Sequence, residues 1–268
     1  MSQRLQLSVH NSIATVTLSR GDKHNAIDMA MFTALDQVIK KVRHDKSIRA
    51  LILTGEGEDF CTGIDVKSTL TSSLNGFKLL FKWWPSHSNL AQRVTTGWGT
   101  LPFPVIAAVH GRCWGGGLQI ALGADIRFTT KTSSWAILEN RWGIIPDMGG
   151  TLAFKTLLKQ DVALELAMSA RQISGEQAKE YGLVTFLADN PLAAAQLLAE
   201  QLCENSPDAN AAIKKLLRKS WWSSTGISLF RESYYQIKVL LSKNQRIAVK
   251  RQLKKDDVIP AFLPRKFK

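Results

Sequence analysis

The apolar positions near the N-terminus first alternate and then take a helical spacing. Segments LQLSV (residues 5–9) and IATVTLS (residues 13–19) predict two short strands, and residues 10–12 between them predict a hairpin turn. Asp28 is a residue type that caps helices, and the apolar residues that follow at steps of four, three and four are Met31, Leu35, Val38 and Val42. We therefore expect a β-hairpin followed by an amphipathic helix that ends near Asp45.

Two uninterrupted apolar runs predict buried strands later in the chain. They are IRALILTG (residues 48–55) and FPVIAAVHG (residues 103–111). Strands that are separated by helical stretches are typical of an α/β core. Residues 67–100 give no clear pattern, and we favour packing helices there over a flap above a binding site.

After residue 149 the pattern is almost wholly helical. In SGEQAKEYG (residues 174–182), Ser174 and Gln177 have the spacing of a capping box and Gly182 supplies a left-handed stop. A short strand, LVTFLA (residues 183–188), follows, and helices continue from residue 191. We expect a core domain in residues 1–200 and a helical C-terminal region in residues 201–268.

Composition narrows the class of protein. The 268 residues are 45% hydrophobic, which predicts a folded chain, and no apolar run approaches the roughly 18 residues of a membrane span. The first residues lack the apolar core of a secretion signal. Three cysteines at wide spacing argue against a disulfide framework, and the five histidines have no metal-ligand spacing. We expect an unprocessed cytoplasmic protein with no metal and no membrane partner.

The net charge of +13 is concentrated near the C-terminus. Residues 243–268 carry nine Lys or Arg against two acids, Asp256 and Asp257. Such a segment can bind nucleic acid, an anionic membrane surface or a polyanionic small molecule. Alternatively, it can be a solvated helix face that only keeps the protein in solution.

Three consecutive glycines, Gly115–Gly117, interrupt the most apolar part of the chain. A phosphate-binding P-loop would need Lys and Ser or Thr where Leu118 and Gln119 stand, and Phe60 occupies the third glycine position of a dinucleotide fingerprint in TGEGEDF. There is also no G-x-S-x-G nucleophile motif. These phosphate-binding and hydrolase functions are therefore excluded.

The remaining explanation is geometric, because the glycines lie where a strand ends and a helix begins. The first amides of a helix have no internal partner, and a substrate oxygen can approach them closely when no Cβ intervenes. A second irregular turn, DFCTGIDV (residues 59–66), can offer another amide to the same oxygen. The two loops predict an oxyanion hole; the alternative is that the glycines only permit tight packing of helix against sheet.

Five ordered blocks resemble the crotonase superfamily, the enoyl-CoA hydratases and isomerases. They are GDKHNAID, DFCTGIDV, VIAAVHGRCWGGGLQIALGADIRF, LENRWGIIPDMGGT and ISGEQAKEYGLV, and the resemblance spans roughly residues 5–190. The resemblance implies an α/β spiral of ββα turns with two packed sheets over residues 1–200. It also implies a helical C-terminal region, residues 201–268, that assembles trimers or dimers of trimers.

The resemblance further assigns substrate contacts. An acyl-CoA thioester oxygen would lie between the amides of Thr62 and Gly116, and no separate cofactor is expected because the substrate carries the CoA. The positions that match the CoA-binding region of the family are Lys23, His24, Ala26, Thr62, Gly63, Ile64, Asp65 and Gly116.

The acidic positions depart from the hydratase pattern. Hydratases place one glutamate shortly after the glycines, where this chain has Gln119, and a second about twenty residues later, which matches Glu139. Asp147 stands eight residues further on, as in dienoyl-CoA isomerases. We therefore favour an isomerase in which Glu139 and Asp147 exchange protons with a thioester enolate.

Other interpretations stay open at this point. A 2-enoyl-CoA hydratase is the first alternative, and a catalytically lapsed acyl-CoA-binding or RNA-binding member is the second, although nucleic acid is not favoured because no RNA-binding motif is present. For Asp147 the structural alternative is a cap for the following helix. Gln119 can equally be an ordinary buried helix residue.

Overall fold

Nine strands build the sheets of the computed structural model, which describes residues 4–69, 73–84, 87–253 and 260–267. Among these residues the strands are β1 Leu5–His10, β2 Ile13–Leu18, β3 Ala50–Gly55, β4 Val105–Val109, β5 Arg112–Trp114, β6 Ile126–Thr129, β7 Ser134–Ala136, β8 Ile173–Ser174 and β9 Phe186–Leu187. The larger sheet has the order β1-β2-β3-β4-β6-β9, and the smaller one has the order β5-β7-β8. The predicted α/β fold with two sheets is confirmed.

The N-terminal hairpin that the sequence predicts is present. β1 and β2 pair antiparallel, from Leu5 opposite Leu18 to His10 opposite Ile13. Asn11 and Ser12 form the turn with φ values of 47° and 66°, the left-handed conformation that two-residue hairpin turns require. The neighbouring pairs β2–β3, β3–β4, β4–β6 and β6–β9 are all parallel.

The described helices are α1 Met29–His44, α2 Val66–Thr69, α3 Ser73–Leu80, α4 Leu90–Gly99, α5 Gly116–Leu122, α6 Gly150–Leu157, α7 Gln160–Ser169, α8 Gly175–Tyr181, α9 Pro191–Cys203, α10 Pro207–Ser220, α11 Thr225–Leu240 and α12 Lys243–Leu253. Asp28 caps α1 by accepting a hydrogen bond from the Met31 amide at 2.8 Å. Ser174 and Gln177 form the predicted capping box of α8, and Gly182 ends this helix at a φ of 99°. The interpretation of residues 67–100 as helices is confirmed for α2, α3 and α4.

One predicted strand is shorter than expected. Of residues 183–188, only Phe186 and Leu187 pair with β6. The Val184 amide instead donates to the carbonyl of Ala178 in α8, so the chain leaves the helix before it joins the sheet.

Helices cover both faces of the larger sheet. One face packs into the main core with α1, α4 and α5, and the other packs against Ala195 and Ala199 of α9. A separate small cluster of Ala211, Ala212, Tyr235 and Phe267 holds α10, α11 and the C-terminal residues together. The division into domains at residues 200 and 201 stays a prediction, and Asp256 and Asp257 lie outside the described residues.

The loops that follow β3 and β4 meet at one edge of the fold. Cys61, after β3, forms an isolated parallel bridge with Cys113 of β5. Three backbone hydrogen bonds secure this contact, from Phe60 N to His110 O, from Cys61 N to Arg112 O and from Trp114 N to Cys61 O, at 2.9–3.0 Å. This junction brings the two predicted oxyanion loops together.

Candidate active site

A different feature of the structure explains why each of the three positions is a glycine. Gly115 precedes α5 with a φ of 49°, which side-chain-bearing residues rarely adopt. A Cβ on Gly117 would lie 2.4 Å from the Cys61 carbonyl oxygen, so this glycine permits the close packing of α5 on the loop. A Cβ on Gly116 would lie 2.9 Å from the Met148 sulfur and 3.4 Å from an Ile64 side-chain carbon. The packing interpretation is therefore correct for Gly117, while Gly116 keeps open the space between α5, Ile64 and Met148.

The second loop lies directly against the start of α5. Gly63 has a φ of 97°, and a Cβ there would lie 3.0 Å from the Trp114 carbonyl oxygen and 3.4 Å from the Gly116 nitrogen. Gly116 is the first residue of α5, so its amide has no acceptor within the helix and lies at the positive end of the helix dipole. The amide of Gly116 and the loop that contains Gly63 thus face the same space.

The amide of Thr62 does not face that space as a free donor. It donates to the carbonyl of His24 at 3.1 Å, and the Thr62 hydroxyl donates to the same oxygen. The Gly63 amide donates to the Cys61 sulfur, and the Asp65 amide donates to the carbonyl of Ile27. We therefore correct the expectation for Thr62: in this run of described residues, Ile64 has the amide without a protein acceptor.

Gln119 is held by three hydrogen bonds inside the protein. Its oxygen accepts from the amides of Met148 at 3.0 Å and Gly150 at 2.9 Å, and its nitrogen donates to Glu139 Oε1 at 2.6 Å. Only 1% of this residue is exposed. Because both backbone donors require the amide oxygen, the NH₂ group must point at Glu139. Gln119 is therefore more than an ordinary buried helix residue, since it orients the carboxyl group of Glu139.

Glu139 occupies an environment that favours its protonated form. The residue is 6% exposed, and its second oxygen, Oε2, is buried without a hydrogen-bond partner among the described residues. Burial raises the pKa of Glu139 above its ordinary value, the negative charge of Asp147 adds to this, and hydrogen bonds from the backbone and Gln119 oppose it. An unpaired buried carboxyl oxygen is costly and is a common mark of a catalytic site.

Asp147 lies close enough to Glu139 for its charge to affect that carboxyl group. Asp147 is half-buried, and burial raises its pKa as well. It does not cap α6, because the N-cap position is occupied by Gly149. The first amide of α6, that of Gly150, is satisfied by Gln119 instead. The capping alternative for Asp147 is therefore wrong.

A cleft beside the two loops contains most of the residues that the resemblance assigned to CoA. Lys23, His24, Ala26, Ile64 and Asp65 line one depression. An adjoining depression of about 420 Å³ is lined by His24, Thr62, Ile64, Arg112, Trp114, Leu138, Arg141 and Trp142. The structure thus brings the predicted positions together, and Gly63 and Gly116 lie next to Ile64 in the two predicted oxyanion loops.

Arg112 and Arg20 organise this cleft, and the sequence reasoning missed both. The Arg112 guanidinium donates to both oxygens of Asp59, at 2.9 and 2.6 Å, and one of its nitrogens lies 2.9 Å from His24 Nδ1. Arg20 donates to the Ala26 carbonyl at 2.8 Å and pairs with Asp65 at 2.9 Å. The sequence did mark Arg112 in one respect, because it is a charged residue within the apolar segment that precedes the glycines.

His24, Glu58 and Asp59 each place one ligand atom within 4.8 Å of the others. This arrangement alone does not make a metal site, because the guanidinium of Arg112 already occupies the cation position next to Asp59. The absence of a metal stays a prediction.

The comparison with known proteins decides the family. The family described as enoyl-CoA hydratase/isomerase matches residues 8–245, most of the chain. The chain belongs to the enoyl-CoA hydratase/isomerase family. YngF of Bacillus subtilis, assigned as an enoyl-CoA hydratase/isomerase, is 31% identical over 242 residues, which cover 88% of this chain and 90% of YngF.

Two further relatives agree with this family membership. The carnitinyl-CoA dehydratase of Proteus mirabilis is 32% identical over 221 residues, which cover 81% of each chain. Among solved structures, an enoyl-CoA hydratase of Bacillus anthracis superposes with a TM-score of 0.88 at 26% identity, covering 97% of this chain and 99% of that one. The crotonase-like fold predicted from the sequence blocks is therefore confirmed.

Within an enoyl-CoA hydratase/isomerase, the observed groups can perform a limited chemistry. A backbone amide that has no protein acceptor can stabilise negative charge on a thioester oxygen, and a carboxyl group of raised pKa can donate or accept a proton at the adjacent carbon. The fixed amide of Gln119 can donate a hydrogen bond, but it cannot exchange protons near neutral pH.

Proposed function

We propose that this protein is an acyl-CoA isomerase that moves a double bond through a thioester enolate. The observation that carries the proposal is the pair Glu139 and Asp147, two carboxyl groups of raised pKa beside the oxyanion loops. Isomerisation removes a proton from one carbon of the acyl chain and returns one to another, so it needs both a base and an acid. Gln119 is a positioning residue in this reaction.

The oxyanion in this proposal is bound by Gly116 and Ile64. Each of these amides lacks a protein acceptor among the described residues, and the two loops pack within van der Waals contact of each other. Charge that develops on the thioester oxygen is stabilised by these fixed donors, and the loss of one such donor typically costs about 3 to 4 kcal/mol. The CoA moiety lies in the cleft with Lys23, His24, Ala26 and Asp65, and no separate cofactor takes part.

The test is a panel of saturated, 2-enoyl, 3-enoyl and dienoyl-CoA substrates in heavy water. We expect double-bond migration and uptake of solvent deuterium at the α-carbon. Glu139→Gln should lower kcat by roughly 10²- to 10⁴-fold while the Kd of the acyl-CoA stays the same, since this is the usual contribution of one general acid–base. Glu176→Gln, which alters an exposed acid of α8, is the matched control and should leave kcat unchanged.

A second candidate is water addition or removal, which the relatives named carnitinyl-CoA dehydratases favour. In that reaction Glu139 would act alone on water, and Gln119 would contribute only a hydrogen bond. Formation of a 3-hydroxyacyl-CoA as the main product would establish this candidate against isomerisation. Binding without either product and without deuterium uptake would indicate a catalytically lapsed member.

A further inference from the structure

A run of large apolar side chains lies on the surface between the oxyanion loop and α4. Trp83 is 87% exposed, Trp84 66% and Phe77 62%, and only Leu79 of this run is buried. We call the exposed residues Leu74, Phe77, Leu80, Phe81, Trp83 and Trp84 the aromatic patch. Scattered exposed apolar residues are normal, but six within eleven positions form a feature that needs an explanation.

The members of the aromatic patch contact one another. The rings of Phe77 and Phe81 lie 5.1 Å apart, and those of Phe81 and Trp83 lie 5.4 Å apart in an edge-on arrangement. The rings therefore form one continuous surface that extends from α3 into the residues after it. Their exposure is not compensated by burial against the described part of the chain.

The chain segment that carries the aromatic patch has charges of a single sign. Lys78 and Lys82 lie within it, and the sequence contains no Asp or Glu from Val66 through Ala124. The chain as a whole has 22 acidic residues, so the absence is a property of this region. A surface that combines aromatic rings with lysines and lacks acids is complementary to an apolar layer beneath anionic groups.

We propose that the aromatic patch docks on the surface of an anionic phospholipid bilayer. Trp and Phe rings partition favourably to the boundary between headgroups and acyl chains, and lysines near them bind anionic lipids. No helix in the described part of the chain is long and apolar enough to cross a bilayer. The mode of binding is therefore interfacial, and the proposal replaces the expectation of no membrane partner, which was based on the absence of a membrane-spanning apolar run.

A second copy of the chain fits the aromatic patch less well than an anionic bilayer does. In a two-fold contact, each patch would meet itself, so Lys78 and Lys82 would face the same lysines, and the segment from Val66 through Ala124 has no acid to pair with them. A bilayer with anionic headgroups supplies both the apolar layer and the opposite charge. The proposal does not depend on which reaction the active site catalyses.

The test is co-sedimentation of the full chain with vesicles of equal parts phosphatidylglycerol and phosphatidylcholine, and with vesicles of phosphatidylcholine alone. We expect binding to the anionic vesicles. Trp83→Ser with Trp84→Ser should lower the partition coefficient at least about 10-fold, because two interfacial rings are lost. Lys78→Gln with Lys82→Gln should lower it by roughly 30-fold on anionic vesicles, at about 1 kcal/mol per lysine.

The matched control is Trp221→Ser with Trp222→Ser. These tryptophans are also adjacent and exposed, at 66% and 56%, but they lie at the end of α10. They should leave vesicle binding unchanged. Equal losses in both double variants, or no loss in the Trp83 and Trp84 variant, would overturn the proposal. A fall in oligomeric mass in that variant, with no vesicle binding by the wild type, would show an interface between copies instead.

Discussion

At the scale of single residues, the buried carboxyl group of Glu139 links the active site to stability. Its pKa is raised in the folded protein, so the folded state holds its proton more tightly than the unfolded state does. This stabilising contribution is complete below the unfolded pKa of about 4.3 and is lost as the pH rises through the folded pKa. Ionised Glu139 therefore destabilises the folded protein at higher pH.

Glu139→Gln should increase the free energy of unfolding above about pH 7 and leave it nearly unchanged below about pH 4. The reason is that the neutral amide never ionises and can still accept the hydrogen bond from Gln119. Urea unfolding at several pH values measures this difference. Glu176→Gln, at an exposed position, should give no such pH-dependent gain; a parallel gain would show that global charge and not burial is the cause.

Gln119 affects the pKa of Glu139 through its hydrogen bond, and a substitution of Gln119 should change that pKa measurably. In Gln119→Glu, one new oxygen would still accept from Met148 and Gly150, while the other would lie near Glu139 Oε1, where the nitrogen now lies at 2.6 Å. Two carboxyl groups at that distance share one proton, so we expect the acidic limb of the kcat/KM profile to move up by about one pH unit or more.

The comparison variant for this prediction is Gln119→Met, which removes the hydrogen bonds without adding a charge. It should lower activity at every pH and lower stability, and it should move the acidic limb up by less than Gln119→Glu does, because it removes only the hydrogen bond that lowers the pKa of Glu139. A pH profile of Gln119→Glu that coincides with that of the wild type would contradict the proton-sharing arrangement.

At the scale of elements, Asp28 combines two roles at the start of α1. One carboxyl oxygen caps the helix through the Met31 amide, and the other pairs with Arg4 at 2.8 Å. Asp28→Ala should lower the free energy of unfolding by about 1 to 2 kcal/mol, from loss of the cap and of a partly exposed ion pair. Asp28→Asn keeps the capping oxygen and should cost less than about 1 kcal/mol.

Urea denaturation of the two variants separates these roles. The capping explanation requires that the alanine variant be clearly less stable than the asparagine variant. If both variants lost the same stability, the ion pair would be the dominant interaction. The start of α1 could be predicted from the sequence because Asp28 and Met31 are only three residues apart along the chain.

At the scale of the whole molecule, helices α10 and α11 leave apolar side chains on the surface. Phe230 is 68% exposed, and others of this kind are Ile213, Leu217, Ile227 and Ile237. We expect these faces to be buried between copies of the chain, which would give a particle of three or six times 29.8 kDa. Sedimentation equilibrium measures this mass.

Phe230→Ser should lower the mass by weakening that contact. Phe77→Ser, at a similarly exposed ring of the aromatic patch, is the control and should leave the mass unchanged. A monomeric wild type would contradict the assembly, and a response to Phe77→Ser alone would place the interface at the patch.

The sequence by itself determined the elements and the family resemblance of this protein. Strands β1–β4, the caps of α1 and α8 and the glycine turn before α5 depend on residues that are close along the chain, so periodicity and capping patterns predict them. Gln119 and Glu139 were named in advance for a different reason, because their positions after the glycines match the acidic positions of the family that the sequence blocks resemble.

Only the tertiary structure decided which groups are available for chemistry. The amide of Thr62 is unavailable because it donates to His24, 38 residues away, whereas the amide of Ile64 has no protein acceptor among the described residues. Gln119 became a positioning residue because amides 29 and 31 residues later donate to it. Hydrogen bonds between distant segments arise only when the chain is folded, so no local pattern encodes them.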